Sequence, residues 1–149
     1  MFRFNLDKVS PFLLEKLNEL CDLLWQGKNQ YEQLSSAIPD KQLRWTILAL
    51  AQESNQYASE LSSQLQTLGG LSQKEMNADE RATTLNTFHD ENEVLAFCRM
   101  NENKIVRAYQ DILNESFLME GLRKMLRYQL NGILCAFMQL KLLNTVAFR

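Results

Sequence analysis

Proline, glycine, histidine and cysteine are all scarce in this sequence of 149 residues, which has two, five, one and three of them. So few prolines and glycines exclude the many turns of a β-sandwich or barrel. The three cysteines, Cys21, Cys98 and Cys135, are odd in number and far apart, so they form no disulfide framework. Each lies in an apolar helical pattern, and we expect all three to be buried.

An excess of either charge is also missing, since 16 basic residues face 18 acidic ones. A protein that binds duplex nucleic acid usually has a basic excess, so we expect no nucleic-acid partner. The first residues lack the apolar core of a signal peptide. No run of about 18 apolar residues is present to span a membrane. These absences predict a cytoplasmic protein without a membrane partner.

Apolar residues make up 46% of the chain and recur at alternating spacings of three and four, which is typical of amphipathic helices. The spacing predicts a single domain, 1–149, with helices at about 11–35, 41–68, 91–113 and 117–146. Ser10, Asp40 and Asp90 precede the first three helices, as capping residues do. A connector at 69–90 separates two helical hairpins. The pattern therefore predicts an all-α, ferritin-like up-down four-helix bundle with one long crossover connection.

Several short motifs in the first three helices resemble one protein family. They are Leu17-Asn18-Glu19-Leu20, Gly27 with Tyr31-Glu32, the Pro39-Asp40 break, Leu50-Ala51-Gln52-Glu53, and Cys98 with Glu102 and Ala108-Tyr109. Together they are similar to an uncharacterised bacterial family of ferritin-like four-helix bundles. The resemblance covers about residues 12–113. It implies the same fold, no assigned activity and a loose association with stress.

A ferritin-like fold raises the possibility of a di-iron site, which needs about four carboxylates and two histidines that point inward. The only histidine, His89, falls in the predicted connector. Gln56 stands three residues after Glu53, at the position of the expected histidine. The residue types thus predict no metal, no cofactor and no enzymatic activity. The alternative is a degenerate iron-binding protein or oxidoreductase with Glu53 and Glu102 as ligands.

Polar or small residues interrupt each apolar seam near its middle, at Gly27, Ser54, Glu102 and Gln129. We expect these four residues to share one polar layer of the core. Glu102 would then need a hydrogen-bond partner, because an unpaired buried carboxylate is too costly. Gln129, Ser54 or Tyr57 could serve. The alternative is a rotated third helix, with Glu102 at a solvent edge and Asn101 or Cys98 facing inward.

The fourth helix is apolar around more than one stripe, which a single bundle core does not need. Its C-terminal half predicts an interface at Ile133, Phe137, Leu140 and Leu143. A homodimer is the expected cover, because two-fold pairs are the commonest oligomers. The alternatives are another protein, or Met1–Leu6 packing back over the helix. The sequence as a whole predicts a non-catalytic bundle that associates with itself or with another protein.

Overall fold

The structure, a computed structural model, describes residues 10–69 and 90–147, the last four by their backbone alone. Over these residues the chain forms four α-helices and no strand. The helices are α1 (Pro11–Ser36), α2 (Lys41–Thr67), α3 (Glu91–Leu113) and α4 (Glu120–Ala147). This confirms the prediction of an all-α four-helix protein. Within the same residues, no helix carries an apolar stretch long enough to cross a membrane.

Capping side chains begin the first three helices at the predicted positions. Ser10, Asp40 and Asp90 each accept a hydrogen bond, at 3.0, 2.8 and 2.9 Å, from the backbone N–H three residues further along. These bonds satisfy N–H groups that have no partner inside the helix. Beyond α2, Gly69 has a φ of 83°, a left-handed conformation that suits glycine at a helix end.

The start of α4 differs from the prediction, because the helix begins at Glu120 and not at Phe117. The residues between α3 and α4 form a turn whose backbone is hydrogen-bonded by the Arg123 side chain. Its guanidinium donates to the carbonyls of Leu113 and Glu115, at 2.7 and 2.9 Å. These bonds satisfy carbonyls left unpaired at the end of α3. The apolar spacing runs on through the turn, so periodicity alone did not separate the turn from the helix.

Each helix packs against two others. The contact of α1 with α2 is the most extensive, and α1–α3, α2–α4 and α3–α4 are also neighbours. In the described residues, α1 and α4 therefore occupy diagonally opposite corners, as do α2 and α3.

All neighbouring helices run antiparallel. Between α1 and α3, Lys16 forms an ion pair with Glu115 near one end, and Asn101 bonds Tyr31 near the other. Polar contacts of α4 with α2 and with α3 give the same sense. Two antiparallel hairpins thus lie side by side, as predicted.

The helix directions also place the two ends of the connector. Gly69, after α2, and Asp90, before α3, lie at opposite ends of the bundle. A connection along the length of the bundle is what a crossover requires. Residues 70–89 of the predicted connector lie outside the described residues, as does the predicted packing of Met1–Leu6 over α4.

The core is built from the apolar seams of all four helices. Its largest fully buried apolar side chains are Leu17, Leu20, Leu24, Ile47, Leu61, Leu65, Ile105, Ile112 and Leu126. Two of the cysteines, Cys21 and Cys98, are buried as predicted, whereas Cys135 is exposed on α4. The prediction was wrong for Cys135 because α4 has more apolar positions than the core uses.

Candidate functional site

Two of the four residues of the predicted polar layer lie together. A Cβ added to Gly27 would lie 3.7 Å from Ser54 Oγ and 3.5 Å from Asn101 Nδ2. Asn101 is buried and donates a hydrogen bond of 2.7 Å to the Tyr31 hydroxyl. Burial is the main cause that raises the pKa of Tyr31. Small residues on α1 and α2 thus leave space for a buried amide–phenol pair.

Gln129 belongs to a different buried cluster, which corrects the prediction of a single layer. Its Oε1 accepts a hydrogen bond of 2.8 Å from the Tyr109 hydroxyl, and its Nε2 donates to Glu60 Oε1 at 2.9 Å. Burial is the first cause that raises the pKa of Tyr109. The prediction failed because α4 has α2 and α3 as its neighbours and lies diagonally opposite α1, which it meets through the Tyr31 and Phe137 rings in the described residues. The position of each helix relative to its neighbours, which no single seam encodes, decides which polar residues meet.

Glu102 is buried, as the predicted layer requires, but with a different partner. It is only 7% exposed, and its Oε2 lies 3.3 Å from the Lys141 ammonium of α4. The predicted partners of Glu102 were Gln129, Ser54 and Tyr57, and Lys141 takes their place. The alternative orientation is half right, because Asn101 does face inward, toward α1, while Glu102 faces α4. Both residues are buried because α3 packs against two helices.

Tyr57 of α2 packs against Gly132 of α4. The Tyr57 hydroxyl lies so close to where a Cβ of residue 132 would be that any other residue there requires Tyr57 to move. Tyr57 is hydrogen-bonded to Glu53, one turn earlier on α2. Burial, followed by the nearby Glu53 carboxylate, raises the pKa of Tyr57 to about 12. From the sequence alone, Gly132 is recognised only as a residue that lowers helix stability in the middle of α4, and its contact with Tyr57 is not.

The Glu53 carboxylate is incompletely hydrogen-bonded. Its Oε1 is buried and has no hydrogen-bond partner among the described residues. Burial raises the pKa of Glu53, and the hydrogen bond from Tyr57 offsets part of that rise. Glu53 therefore favours its neutral form more than an exposed glutamate does.

The two carboxylates of the alternative metal site lie in separate places. Glu53 lies between α2 and α4, next to Tyr57, whereas Glu102 lies between α3 and α4, next to Lys141. In residues 10–69 and 90–147, no three His, Cys, Asp or Glu side chains are grouped as a metal site would require. His89 lies outside these residues.

The predicted interface on α4 is also corrected. Ile133, Phe137 and Leu140 are buried in the core of their own bundle, and Leu143 packs against that core. Ile133, Phe137 and Leu140 are therefore not available to a partner, whereas Leu143 is only partly buried. The prediction placed the interface on the row of apolar residues that faces the core, whereas the exposed apolar residues form the neighbouring row.

A different set of residues forms the exposed side of α4. Leu134, Met138 and Leu142 are 39%, 55% and 60% exposed and follow one another at intervals of four. Lys124 and Arg127 are exposed on the same side, about two to three turns before Leu134. We call these five residues the α4 outer face. The signal in the sequence was the apolar spacing of four that runs beside the core seam.

The α4 outer face is also distinctive in charge. No charged residue occurs between Arg127 and Lys141, and no acid follows Glu120. The face therefore has an uncharged apolar half and a basic half.

The model of one family, a domain of unknown function (DUF2383), matches residues 13–115, well over half of the chain. That stretch contains nearly all of α1 to α3, and α4 lies beyond it. A search of curated proteins finds no match.

Proposed function

The chain belongs to the family of the DUF2383 domain of unknown function, and we propose that it is a non-catalytic, ferritin-like bundle that acts by binding a protein through the α4 outer face. The helix order supports the ferritin-like part of the proposal, because two antiparallel hairpins meet side by side with their connector ends at opposite poles. A role in stress rests on the sequence resemblance alone.

One observation carries the proposal, the exposure of Leu134, Met138 and Leu142 on a helix whose other side completes the core. Fully burying a leucine or methionine side chain is worth about 1.5–3 kcal/mol, and these three are roughly half exposed. A contiguous apolar stripe with polar or charged neighbours marks a binding surface in a soluble protein. The two buried polar clusters, by contrast, hydrogen-bond mainly within the bundle.

Photo-cross-linking in the producing cell tests this proposal. Met138 is replaced by a photoreactive phenylalanine analogue, and the chain is illuminated and analysed by mass spectrometry. We expect a cross-linked adduct at position 138, because a bound protein covers that side chain.

Met100 provides a matched control, since it is a methionine of α3 with 52% exposure. It is about 160° around α3 from Glu102, the side that faces α4. We expect the same analogue at position 100 to give no adduct of the same mass. Absence of any protein adduct at position 138 would contradict the proposed function.

A further inference from the structure

We infer that the protein bound at the α4 outer face is a second copy of this chain, paired antiparallel across a two-fold axis at Met138. The inference rests on the proposed function and adds to it the partner and the alignment of the two helices. Three features carry it: the spacing of the apolar residues, the positions of the basic residues along α4, and the location of acidic residues at the start of α3.

The apolar residues are spaced symmetrically about Met138. Leu134 lies four residues before it and Leu142 four residues after it. A two-fold axis at Met138 therefore places Leu134 of each copy opposite Leu142 of the other, with the two Met138 side chains in contact. Each exposed side chain then meets an apolar partner of similar size, which is what a two-fold interface requires.

Between residues of α4 no like charges oppose one another in this alignment, and Arg127 comes opposite position 149, which follows the last residue of the helix. Lys141 lies three residues after Met138, so it comes opposite position 135 of the other copy, which is the uncharged Cys135. An axis near residue 134 would instead place Arg127 opposite Lys141, two like charges that repel. A parallel alignment would place Lys124 beside Lys124. The charges on α4 thus favour the antiparallel pair centred on Met138.

The basic half of the face also meets acidic residues in this alignment. Lys124 lies 14 residues before Met138, which is about 21 Å along the helix. In the antiparallel pair, Lys124 of one copy therefore lies about 21 Å beyond Met138 of the other copy, toward the C-terminal end of that copy's α4. The Glu102–Lys141 ion pair fixes how α3 lies beside α4. Glu91 comes 11 residues before Glu102, which places it about 16 Å beyond Lys141 along the bundle. Glu91 is therefore level with Lys124 of the other copy.

Glu91 also lies on the appropriate side of α3. Glu91 lies on the same side of α3 as Leu95 and Glu102, because spacings of 4 and 11 residues return to one side of a helix. Leu95 and Glu102 line the groove between α3 and α4 together with Phe137 and Lys141. Asp90, the capping residue of α3, adds a second acid at this end. Each copy therefore presents its basic residues to the acidic end of the other, and the pairing occurs twice in the dimer.

Light scattering after size exclusion, together with sedimentation equilibrium, tests the inference on the full chain. We expect twice the chain mass for the wild type. Met138→Glu places two carboxylates together at the axis and should raise the dimer Kd by at least about 100-fold. Met100→Glu is the control and should leave Kd unchanged. Circular dichroism checks that both variants fold, as expected for side chains that are half exposed.

A charge exchange tests the ends of the interface. Lys124→Glu should raise Kd about three- to tenfold, as expected for exposed pairs repeated twice. Adding Glu91→Lys to the same chain should restore the wild-type value, whereas Glu91→Lys alone should weaken the dimer. A double variant no tighter than the singles would refute the alignment.

Disulfide trapping tests the register directly, in a Cys135→Ser background with a copper–phenanthroline oxidant. Chains with Leu134→Cys mixed with chains with Leu142→Cys should form a cross-linked dimer. Either variant alone should not, because identical positions are then about 12 Å apart along the axis. Self-cross-linking of either variant at the rate of the mixture would refute the antiparallel register.

The two proposals fail in different ways. A wild-type chain that stays monomeric at about 100 µM, with an adduct to another protein at position 138, refutes the second copy and leaves the proposed function standing. A monomer without any adduct at position 138 refutes both.

Discussion

Glu53 carries an electrostatic cost within α2, because one of its oxygens is buried without a hydrogen-bond partner. Burial raises the pKa of this carboxyl above its ordinary value of 4.5 in the folded chain, while the unfolded chain keeps that ordinary value. The folded state therefore binds the proton more tightly. The stability that protonated Glu53 contributes is fully present below pH 4.5 and is lost as the pH rises through the raised pKa.

Replacing this carboxyl by an amide tests that pH dependence. In Glu53→Gln the loss with rising pH is absent, so the wild type should lose stability relative to the variant from about pH 4.5 upward. The relative loss should be at most about 1 kcal/mol, the usual net worth of one side-chain hydrogen bond. Urea unfolding at a series of pH values measures it. Glu19→Gln, at an exposed site on α1, is the control, and a difference for Glu53→Gln that does not change with pH would contradict the prediction.

The capping residues and the polar layer show what single residues reveal before a structure is known. Ser10, Asp40 and Asp90 start helices through bonds to residues three positions away, so local sequence is enough to place them. Gly27 and Gln129 were placed in one layer from the middle of each seam. They lie in different clusters because α1 and α4 occupy diagonal corners and their backbones are not neighbours. Which side chains meet depends on how whole helices are arranged.

At the scale of the element, the α2–α4 contact depends on one missing methyl group. The Tyr57 hydroxyl lies where a side chain at position 132 would begin. Gly132→Ala should therefore destabilise the protein by about 1–3 kcal/mol, as overpacking of a core does, although alanine is the better helix former. Chemical denaturation measures the change.

A second glycine of α4 provides the matched control. A Cβ at Gly121 would meet no atom within 4 Å. Gly121→Ala should thus stabilise the protein slightly, by less than the roughly 1 kcal/mol of a helix interior, because residue 121 lies in the first turn of α4. Adding Tyr57→Phe to Gly132→Ala should recover part of the loss, because it removes the overlapping oxygen. Equal stability of the two alanine variants would show that Tyr57 moves aside without cost.

The helices themselves were predicted more successfully than their surfaces. Apolar periodicity located four helices because each buries one continuous stripe. For α4 the same signal was ambiguous, since Phe137 and Met138 both belong to apolar rows. Only the positions of α2 and α3 decide that Phe137 is buried and Met138 exposed.

At the scale of the whole molecule, we expect the protein to hold no stoichiometric metal. A site for iron or manganese gathers several carboxylates and imidazoles at one place. Glu53 and Glu102 lie in separate helix interfaces, each with its own neighbour. Untagged protein from cells grown with added iron should therefore contain well below one metal ion per chain by elemental mass spectrometry.

A near-stoichiometric metal content would contradict that expectation. Glu53→Ala and Glu102→Ala would then show which carboxylate holds the metal, with Glu19→Ala as the control. A content that falls in neither variant would direct attention to other ligands.

The directions of the helices give the molecule an uneven resistance to mechanical force. Ser10 and Ala147 lie at opposite poles, on two parallel helices at diagonal corners. Stretching the chain between them loads the helices in shear, so that many side-chain contacts must slide at once. Ser10 and Gly69 lie at the same pole, and pulling between them opens α1 from α2 one turn at a time. The same bundle should therefore withstand a larger force in an optical trap when it is held at its two poles than when it is held at one.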